Sequence, residues 1–137
     1  MPLYPNVAIP ITLRNPNTLT VADGFDLQTL PFNCTIDRVH ANIGVNGTTS
    51  GQTDFVLAYV APTGGTTTSG DLWTVASGVG RIAHDSSVLY QSIAAASLAK
   101  TKLEAGGTLA LNIDAIPGGS DSSNLTVTVW AVPTDLS

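Results

Sequence analysis

The sequence predicts an all-β protein, an antiparallel β-sandwich or jelly roll with an extended N-terminal arm. Three observations support this: apolar and polar residues alternate along short segments, Gly, Pro, Asn and Ser separate those segments, and helical and strand patterns do not alternate. The 137 residues suffice for one domain, which can bury roughly two thirds of its unfolded surface. We expect the arm over residues 1–16 and the sandwich domain over residues 17–137.

Four prolines, at positions 2, 5, 10 and 16, define the arm. Each fixes φ and removes a backbone donor, so the segment is expected to be extended rather than helical. Missing donors suit a sheet edge or an intermolecular contact, and apolar side chains at alternating positions supply anchors that a solvated tail would not need. We predict that the arm docks on a neighbouring molecule through four interface residues, Tyr4, Val7, Ile9 and Ile11.

The longest strand candidate runs from Phe32 to Val45. Its apolar parity switches between Ile36 and Ile43, at Asp37–Arg38, and a β-bulge there would restore a common buried face. The next candidate, Asp54–Ala61, has apolar residues on both parities, which predicts a strand covered on both sides.

The remaining candidates are shorter. Ser92–Leu103 is given at most one or two helical turns, because its alanines favour a helix but no cap is present. In the last third, residues 109–113 and 125–131 both alternate, which predicts an antiparallel pair joined by a long loop. The other strand candidates are Val7–Arg14, where apolar residues alternate within and beside the arm, Leu19–Val21, Leu72–Ala76, Val79–Ala83 and Val88–Tyr90.

The composition excludes several classes of function. Five scattered basic residues and a net charge of −5 argue against nucleic-acid binding. No window approaches the roughly 18 apolar residues of a membrane span, and the first residues lack the pattern of a secretory signal. We therefore expect no nucleic-acid or membrane partner, and a protein that stays where it is made.

The same composition predicts self-association. Apolar residues make up 43% of the chain and the mean hydropathy is +0.24, but only 11% of residues are charged, against roughly 25% in an ordinary soluble domain. A surface this poor in charge is best explained if copies of the chain or a partner cover part of it.

The sequence carries no catalytic signature, and we predict neither enzyme activity nor a cofactor. His84-Asp85-Ser86 has the residue types of a hydrolytic triad, but chain neighbours cannot place a base against a nucleophile, and a polar turn explains the segment better. The only glutamate, Glu104, excludes a Glu-based acid/base pair. The single cysteine, Cys34, lies on an apolar parity and is expected to be buried.

Two kinds of binding site are also weighed. Asp23–Asp26 and Gly118–Asn124 offer oxygen ligands, but too few carboxylates for a calcium ion. His40 lies on the outward parity of its strand and is interpreted as a surface or interface residue. Four aromatic residues either form a sugar-stacking platform or serve as core and interface residues; they are Tyr59, Trp73, Tyr90 and Trp130.

Two segments carry a resemblance to a known class of protein. Residues 30–45 read LPFNCTIDRVHANIGV and residues 103–130 read LEAGGTLALNIDAIPGGSDSSNLTVTVW. In the Pro-Phe strand entry and the alternating strands ending Ile-Asp and Leu-Thr-Val-Thr-Val, the chain resembles small β-sandwich virion structural proteins of tailed bacteriophages.

The resemblance implies a capsid decoration (cement) protein that binds the major capsid protein between capsomers, at the capsid surface of the virion, after synthesis in the host cytoplasm. It implies no catalytic residue. With the self-association expected from composition, we predict a homo-oligomer, specifically a homotrimer. The alternative is a carbohydrate- or receptor-binding β-sandwich module of a tail or head fibre, in which exposed aromatic residues line a groove.

Overall fold

The computed structural model describes residues 7–84, 88–119 and 121–134. Within these ranges the chain forms ten β-strands and one 3₁₀ turn, Ala95–Ser97. The strands are β1 (Ile9–Thr18), β2 (Leu27–Thr29), β3 (Cys34–Val45), β4 (Gln52–Val60), β5 (Gly70–Asp71), β6 (Arg81–Ala83), β7 (Tyr90–Ala94), β8 (Lys102–Leu103), β9 (Thr108–Ala115) and β10 (Ser123–Pro133). No helix in the described ranges has the length and apolarity needed to cross a membrane.

The described strands form two antiparallel sheets. The first has the order β1-β10-β3-β7, with β8 also paired to β3, and the second has the order β2-β9-β4-β5, with β6 also paired to β4. Strands β1 to β4 alternate between the sheets, and β1 pairs with the last strand, β10. This is the strand order of a jelly roll, so the predicted fold class is confirmed.

Each sheet buries one face against the other. In β10 every second residue from Leu125 to Ala131 is fully buried, while the residues between them are only half-buried. The same alternation in β9 buries Leu109, Leu111 and Ile113. Burying one such aliphatic side chain stabilises the fold by about 1.5 to 3 kcal/mol. The layer between the sheets is therefore the core.

The β-bulge predicted in β3 is present. Arg38 lies opposite Trp130 and Ile36 lies opposite Ala131, so Asp37 is the extra residue. On either side of it, Ile36 and Ile43 are both buried in the core. The prediction that β4 is covered on both sides is also confirmed, because residues of both parities from 53 to 57 are buried.

The predicted arm is corrected over residues 9–16, which are part of the sandwich. From Ile9 to Asn15 the chain pairs with β10 as the edge strand of the first sheet. The backbone amides of β1 point alternately toward β10 and away from it. The Arg14 N–H points away, because it donates to Asp26 Oδ2 at 2.9 Å. Pro10 has the same parity as Arg14, so the N–H that it lacks is not needed for pairing with β10. Pro16 falls within the register shift between Asn15 and Thr18.

The predicted antiparallel pair in the last third is wrong. Strand β9 pairs with β2 and β4, whereas β10 pairs with β1 and β3, so the two strands lie in opposite sheets. Alternation identifies the buried face of each strand. Two strands that face each other across a sandwich show the same alternation as two that share hydrogen bonds, so the pattern does not identify the partner.

The shorter elements differ from prediction mainly in their bounds. A single 3₁₀ turn within Ser92–Leu103 agrees with the expected one or two helical turns. The short β2 has no counterpart among the predicted strands. Segment 19–21 forms no strand, and segment 72–76 contributes only an isolated bridge between Ala76 and Val79. Segment 79–83 contains β6, and segment 88–90 ends at the first residue of β7.

Candidate functional site: the outer face of the first sheet

The outer face of the first sheet is open, and most of its residues are uncharged. Its residues have the parity opposite to the buried ones and are half-buried or exposed. Cross-strand contacts hold the face together, including Thr12 Oγ1 to Thr128 Oγ1 at 3.3 Å and Arg14 Nε to Asn124 Oδ1 at 2.9 Å. Three rows run across β1, β10, β3 and β7: Pro10-Trp130-Arg38-Ala94, Thr12-Thr128-His40-Ser92 and Arg14-Thr126-Asn42-Tyr90.

An aromatic cluster lies on this face, formed by His40, Trp130 and Tyr90. The His40 ring centroid is 5.5 Å from that of Tyr90 and 6.0 Å from that of Trp130. The Trp130 Nε1–H donates to His40 Nδ1 at 3.2 Å. Because an indole N–H can only donate, Nδ1 accepts, and the ring proton of a neutral His40 is assigned to Nε2. The interpretation of His40 as a surface residue agrees with this position.

The β-bulge shapes the same face into a shallow groove. It places Asp37 and Arg38 next to each other on the exposed surface, where Arg38 Nε and Asp37 Oδ2 are 3.3 Å apart. One hollow, of about 260 Å³, is lined by Ala8, Asp37, Arg38, His40 and Trp130. A second, of about 250 Å³, is lined by Asp37, Arg38, Ser92 and Ala94. The groove combines aromatic rings, a pair of opposite charges and a serine hydroxyl, which suits recognition of a polar ligand or a protein surface.

Only part of the candidate sugar platform lies on this face. Trp73 and Tyr59 are 1% exposed and belong to the core, whereas Tyr90 is 52% exposed and Trp130 is half-buried. The Trp73 Nε1–H donates to the Phe55 carbonyl at 3.0 Å. The four aromatic residues therefore do not form one platform. Parity separates Trp130, on the outward side of β10, from its buried neighbours, but it gives no signal for Trp73, which lies outside the strands.

The predicted interface residues receive different environments. Val7 is 59% exposed and Ile9 is 37% exposed, while Ile11 packs against the core. Tyr4 lies outside the described residues.

His84 is a structural residue. It is buried, its Nδ1 lies 3.2 Å from the Asn46 carbonyl oxygen and its Nε2 lies 2.5 Å from Thr53 Oγ1. A carbonyl only accepts, so Nδ1 donates to Asn46 and Nε2 accepts from the Thr53 hydroxyl. Both ring nitrogens are thus committed to the fold. Asp85 and Ser86 lie outside the described residues.

Glu104 anchors a loop. Its carboxylate accepts hydrogen bonds from the backbone N–H groups of Thr66 (2.7 Å) and Thr67, and from the Thr66 hydroxyl (3.3 Å). Hydrogen bonds from Thr67 and then Thr66 lower the pKa of Glu104, because they favour the ionised form. The Tyr59 hydroxyl contacts the same loop at Thr67 Oγ1, 2.7 Å away. Glu104 is therefore suited to holding the loop at residues 62–69 rather than to acid/base chemistry.

The second sheet carries acidic residues on its outer side. Burial, followed by the charges of Asp71, Asp23 and Asp54, raises the pKa of Asp114. Asp54 itself is paired with Arg81, whose Nε lies 2.8 Å from Oδ1. Across residues 7–84, 88–119 and 121–134, no group of three His, Cys, Asp or Glu side chains is placed to hold a metal ion.

The two loops considered for calcium use their carboxylates internally. Asp26 accepts from the Arg14 N–H, and Asp121 Oδ1 accepts from the Thr48 N–H at 2.7 Å. Cys34 is buried as predicted, and burial raises the pKa of its thiol to about 11, so it is neutral at physiological pH.

Comparison with known proteins identifies one informative likeness. Over 98% of this chain and 92% of the other, the structure is similar to a chain of the capsid of Ralstonia phage GP4, with a TM-score of 0.57 and 14% sequence identity. At this identity the likeness shows the fold. No family model matches the sequence, and no curated protein matches it.

Proposed function

We propose that the protein is a capsid decoration (cement) protein, a non-enzymatic structural component on the capsid surface of a phage virion. It binds the major capsid protein between capsomers and assembles as a homotrimer. The observation that carries this proposal is the likeness to a phage capsid chain over 98% of the present chain. Jelly rolls recur in viral capsid domains, and the charge-poor composition supports a protein that works within an assembly.

The outer face of the first sheet is the proposed capsid-binding surface. Four of the twelve residues in its three rows are threonine or serine, so docking there desolvates hydroxyl groups that a partner can pair. The outer side of the second sheet carries the carboxylates of Asp23, Asp71 and Asp114, which are costly to desolvate without basic partners. We also propose Tyr4, Val7 and Ile9 as apolar anchors on the neighbouring molecule, whereas Ile11 packs against the core of its own chain.

Two matched variants test which face docks. Thr128→Arg places a long charged side chain at the centre of the first sheet's outer face, and Ala110→Arg places the same side chain on the outer face of the second. Each variant is produced together with the major capsid protein of the phage that encodes it, and the fraction bound to purified particles is measured. We expect Thr128→Arg to abolish decoration and Ala110→Arg to retain it. Loss only with Ala110→Arg would contradict the proposed face, and no binding by the unmodified protein would contradict the decoration role.

Deleting residues 2–8 tests the anchors. β1 begins at Ile9, so we expect folding to stay nearly intact, whereas attachment to particles or to the neighbouring subunit weakens. A much lower melting temperature with normal decoration would place these residues in the sandwich core instead.

A second function, glycan binding by a fibre module, is favoured by the cluster of His40, Trp130 and Tyr90 beside the 260 Å³ hollow. Aromatic faces stack against the C–H face of a sugar, and jelly rolls also recur in lectins. A glycan array tests it: binding that disappears in Trp130→Ala but persists in Thr126→Ala would favour this function over decoration. Absence of binding to every glycan would count against it.

A further inference from the structure

The two edges of the first sheet are protected to very different degrees. On β1, the outward-pointing backbone positions include Pro10, which has no N–H, and Arg14, whose N–H is bonded to Asp26. A register shift between Asn15 and Thr18 then ends regular pairing. Proline, a bonded amide and an irregular register are the devices that prevent an edge strand from pairing with another chain. The β1 edge is therefore protected against pairing with another chain.

The opposite edge, β7, carries none of these devices. The Ile43 N–H donates to the Leu89 carbonyl at 2.9 Å, which fixes the alternation of the ladder between β3 and β7. Gln91 and Ile93 share that parity and face β3, so the N–H and C=O groups of Tyr90, Ser92 and Ala94 point away from the sheet. All three residues are exposed, and among the described residues no hydrogen bond is formed by their amides.

We propose that β7 is a self-association edge, which pairs antiparallel with β7 of a second copy of this chain across a two-fold axis at Ser92. In this register Tyr90 faces Ala94 of the partner subunit and Ser92 faces Ser92 of the partner subunit. Each of these pairs exchanges two backbone hydrogen bonds, because all the participating groups share the outward parity. The two first sheets then form one continuous sheet, with the aromatic cluster of each copy on its outer face.

The side chains of β7 favour a second copy as the occupant. An isologous contact places a residue on the two-fold axis against its own counterpart, so a charge at the axis would repel its copy. The strand YQSIA contains no charged residue. Tyr90, 52% exposed, would lie beside the small Ala94 of the partner subunit, which leaves room for its ring. In solution this contact gives dimers, and it does not depend on capsid binding. The homotrimer proposed above is the form that assembles on the particle.

Proline substitutions on the two edges provide a matched test. Ser92→Pro removes an outward amide from β7, and Thr12→Pro removes one from β1, and neither amide belongs to the ladder of its own chain. We expect sedimentation velocity at micromolar concentration to show dimers for the unmodified protein and Thr12→Pro, and a dimer dissociation constant raised about tenfold or more for Ser92→Pro. Equal association of Ser92→Pro and the unmodified protein would overturn the proposal, as would a monomeric unmodified protein.

Charge variants at the axis test the two-fold symmetry itself. Ser92→Lys and Ser92→Asp each place like charges against each other, so we expect each variant alone to be monomeric and a mixture of the two to dimerise. Hydrogen exchange supplies a second measurement: the amides of Tyr90, Ser92 and Ala94 should become protected as concentration rises, while Ile93 is protected throughout. No recovery on mixing, or dimers lost on deleting residues 2–8 instead, would overturn the β7 contact.

The capsid-binding assay separates this proposal from the proposed function. Thr128→Arg should still dimerise in solution while failing to decorate particles, so loss of decoration alone leaves the β7 contact standing.

Discussion

The two outer faces of the sandwich differ in charge. The first sheet presents threonines, Arg14, Arg38 and the cluster around His40. The second presents the carboxylates of Asp71 and Asp114, with Asp23 and Asp54 close enough to perturb the Asp114 carboxyl. The inner faces, in contrast, are both largely apolar. The fold is therefore encoded by the inner layer, and the proposals about binding depend on the asymmetry of the outer ones.

The largest effect on stability is expected in β3, whose residues face the core and the outer face of the first sheet in turn. Ile43 is 2% exposed and Asn42, its neighbour in β3, is exposed. Ile43→Asp buries a carboxyl group without a partner, so we expect it to destabilise the fold by about 4 kcal/mol or more, and Asn42→Asp to be tolerated. Thermal unfolding of the two variants measures this, and equal melting temperatures would show that the register of β3 is wrong.

A second large effect on stability is expected at Gly80, the residue before β6. Its φ is +73°, and a Cβ there would overlap Trp73 Nε1 and lie 2.5 Å from the Phe55 carbonyl oxygen. Gly78 provides a control, because its φ of +80° is similar and nothing lies within 4 Å of its Cβ position. We expect Gly80→Ala to lower the free energy of unfolding by about 2 to 4 kcal/mol and Gly78→Ala by about 1 kcal/mol. Equal losses in denaturant titrations would mean that Trp73 has room to move.

Much of the fold could be predicted from the sequence because alternation reports burial directly. The switch of parity around Asp37 predicted the bulge, and the two-sided apolar pattern predicted the burial of β4. Strand pairing could not be read in the same way, since β9 and β10 alternate identically whether they share hydrogen bonds or face each other. The sequence also left the place of β1 open between a sheet edge and a free arm, because prolines weaken a central strand and suit both.

The candidate site was only partly visible in the sequence. The outward parity of His40 could be predicted, but its contacts with Trp130 and Tyr90 join three strands that are distant in the chain. The role of Glu104 depends on a loop some 38 residues away that folds onto its carboxylate, which no local pattern indicates.

A smaller, pH-dependent effect is expected for Glu104. Its lowered pKa means that the ionised form stabilises the fold at pH values above its ordinary pKa, and that this contribution is lost as the pH falls through the lowered value. Glu104→Gln should therefore lower the melting temperature at neutral pH, with a difference that shrinks in acid. A difference that stays constant with pH would show that the charge of Glu104 does not stabilise the loop.

The smallest effect is expected on the acidic outer face of the second sheet, at Asp114. Burial and the neighbouring carboxylates raise its pKa, so the folded state holds this proton more tightly than the unfolded state does. The free energy of unfolding therefore falls as the pH rises from the ordinary Asp pKa of about 3.9 through the raised value. At neutral pH the ionised Asp114 carboxylate destabilises the fold to its full extent. Asp114→Asn should raise the melting temperature slightly at neutral pH and leave it unchanged near pH 3, where the carboxyl is protonated in both states.

Asp37→Asn on the first sheet is the control, because it removes a carboxylate beside Arg38 at the exposed surface and should give no increase at either pH. An equal increase from both substitutions would mean that net charge alone, and not the crowding of carboxylates on one face, limits stability.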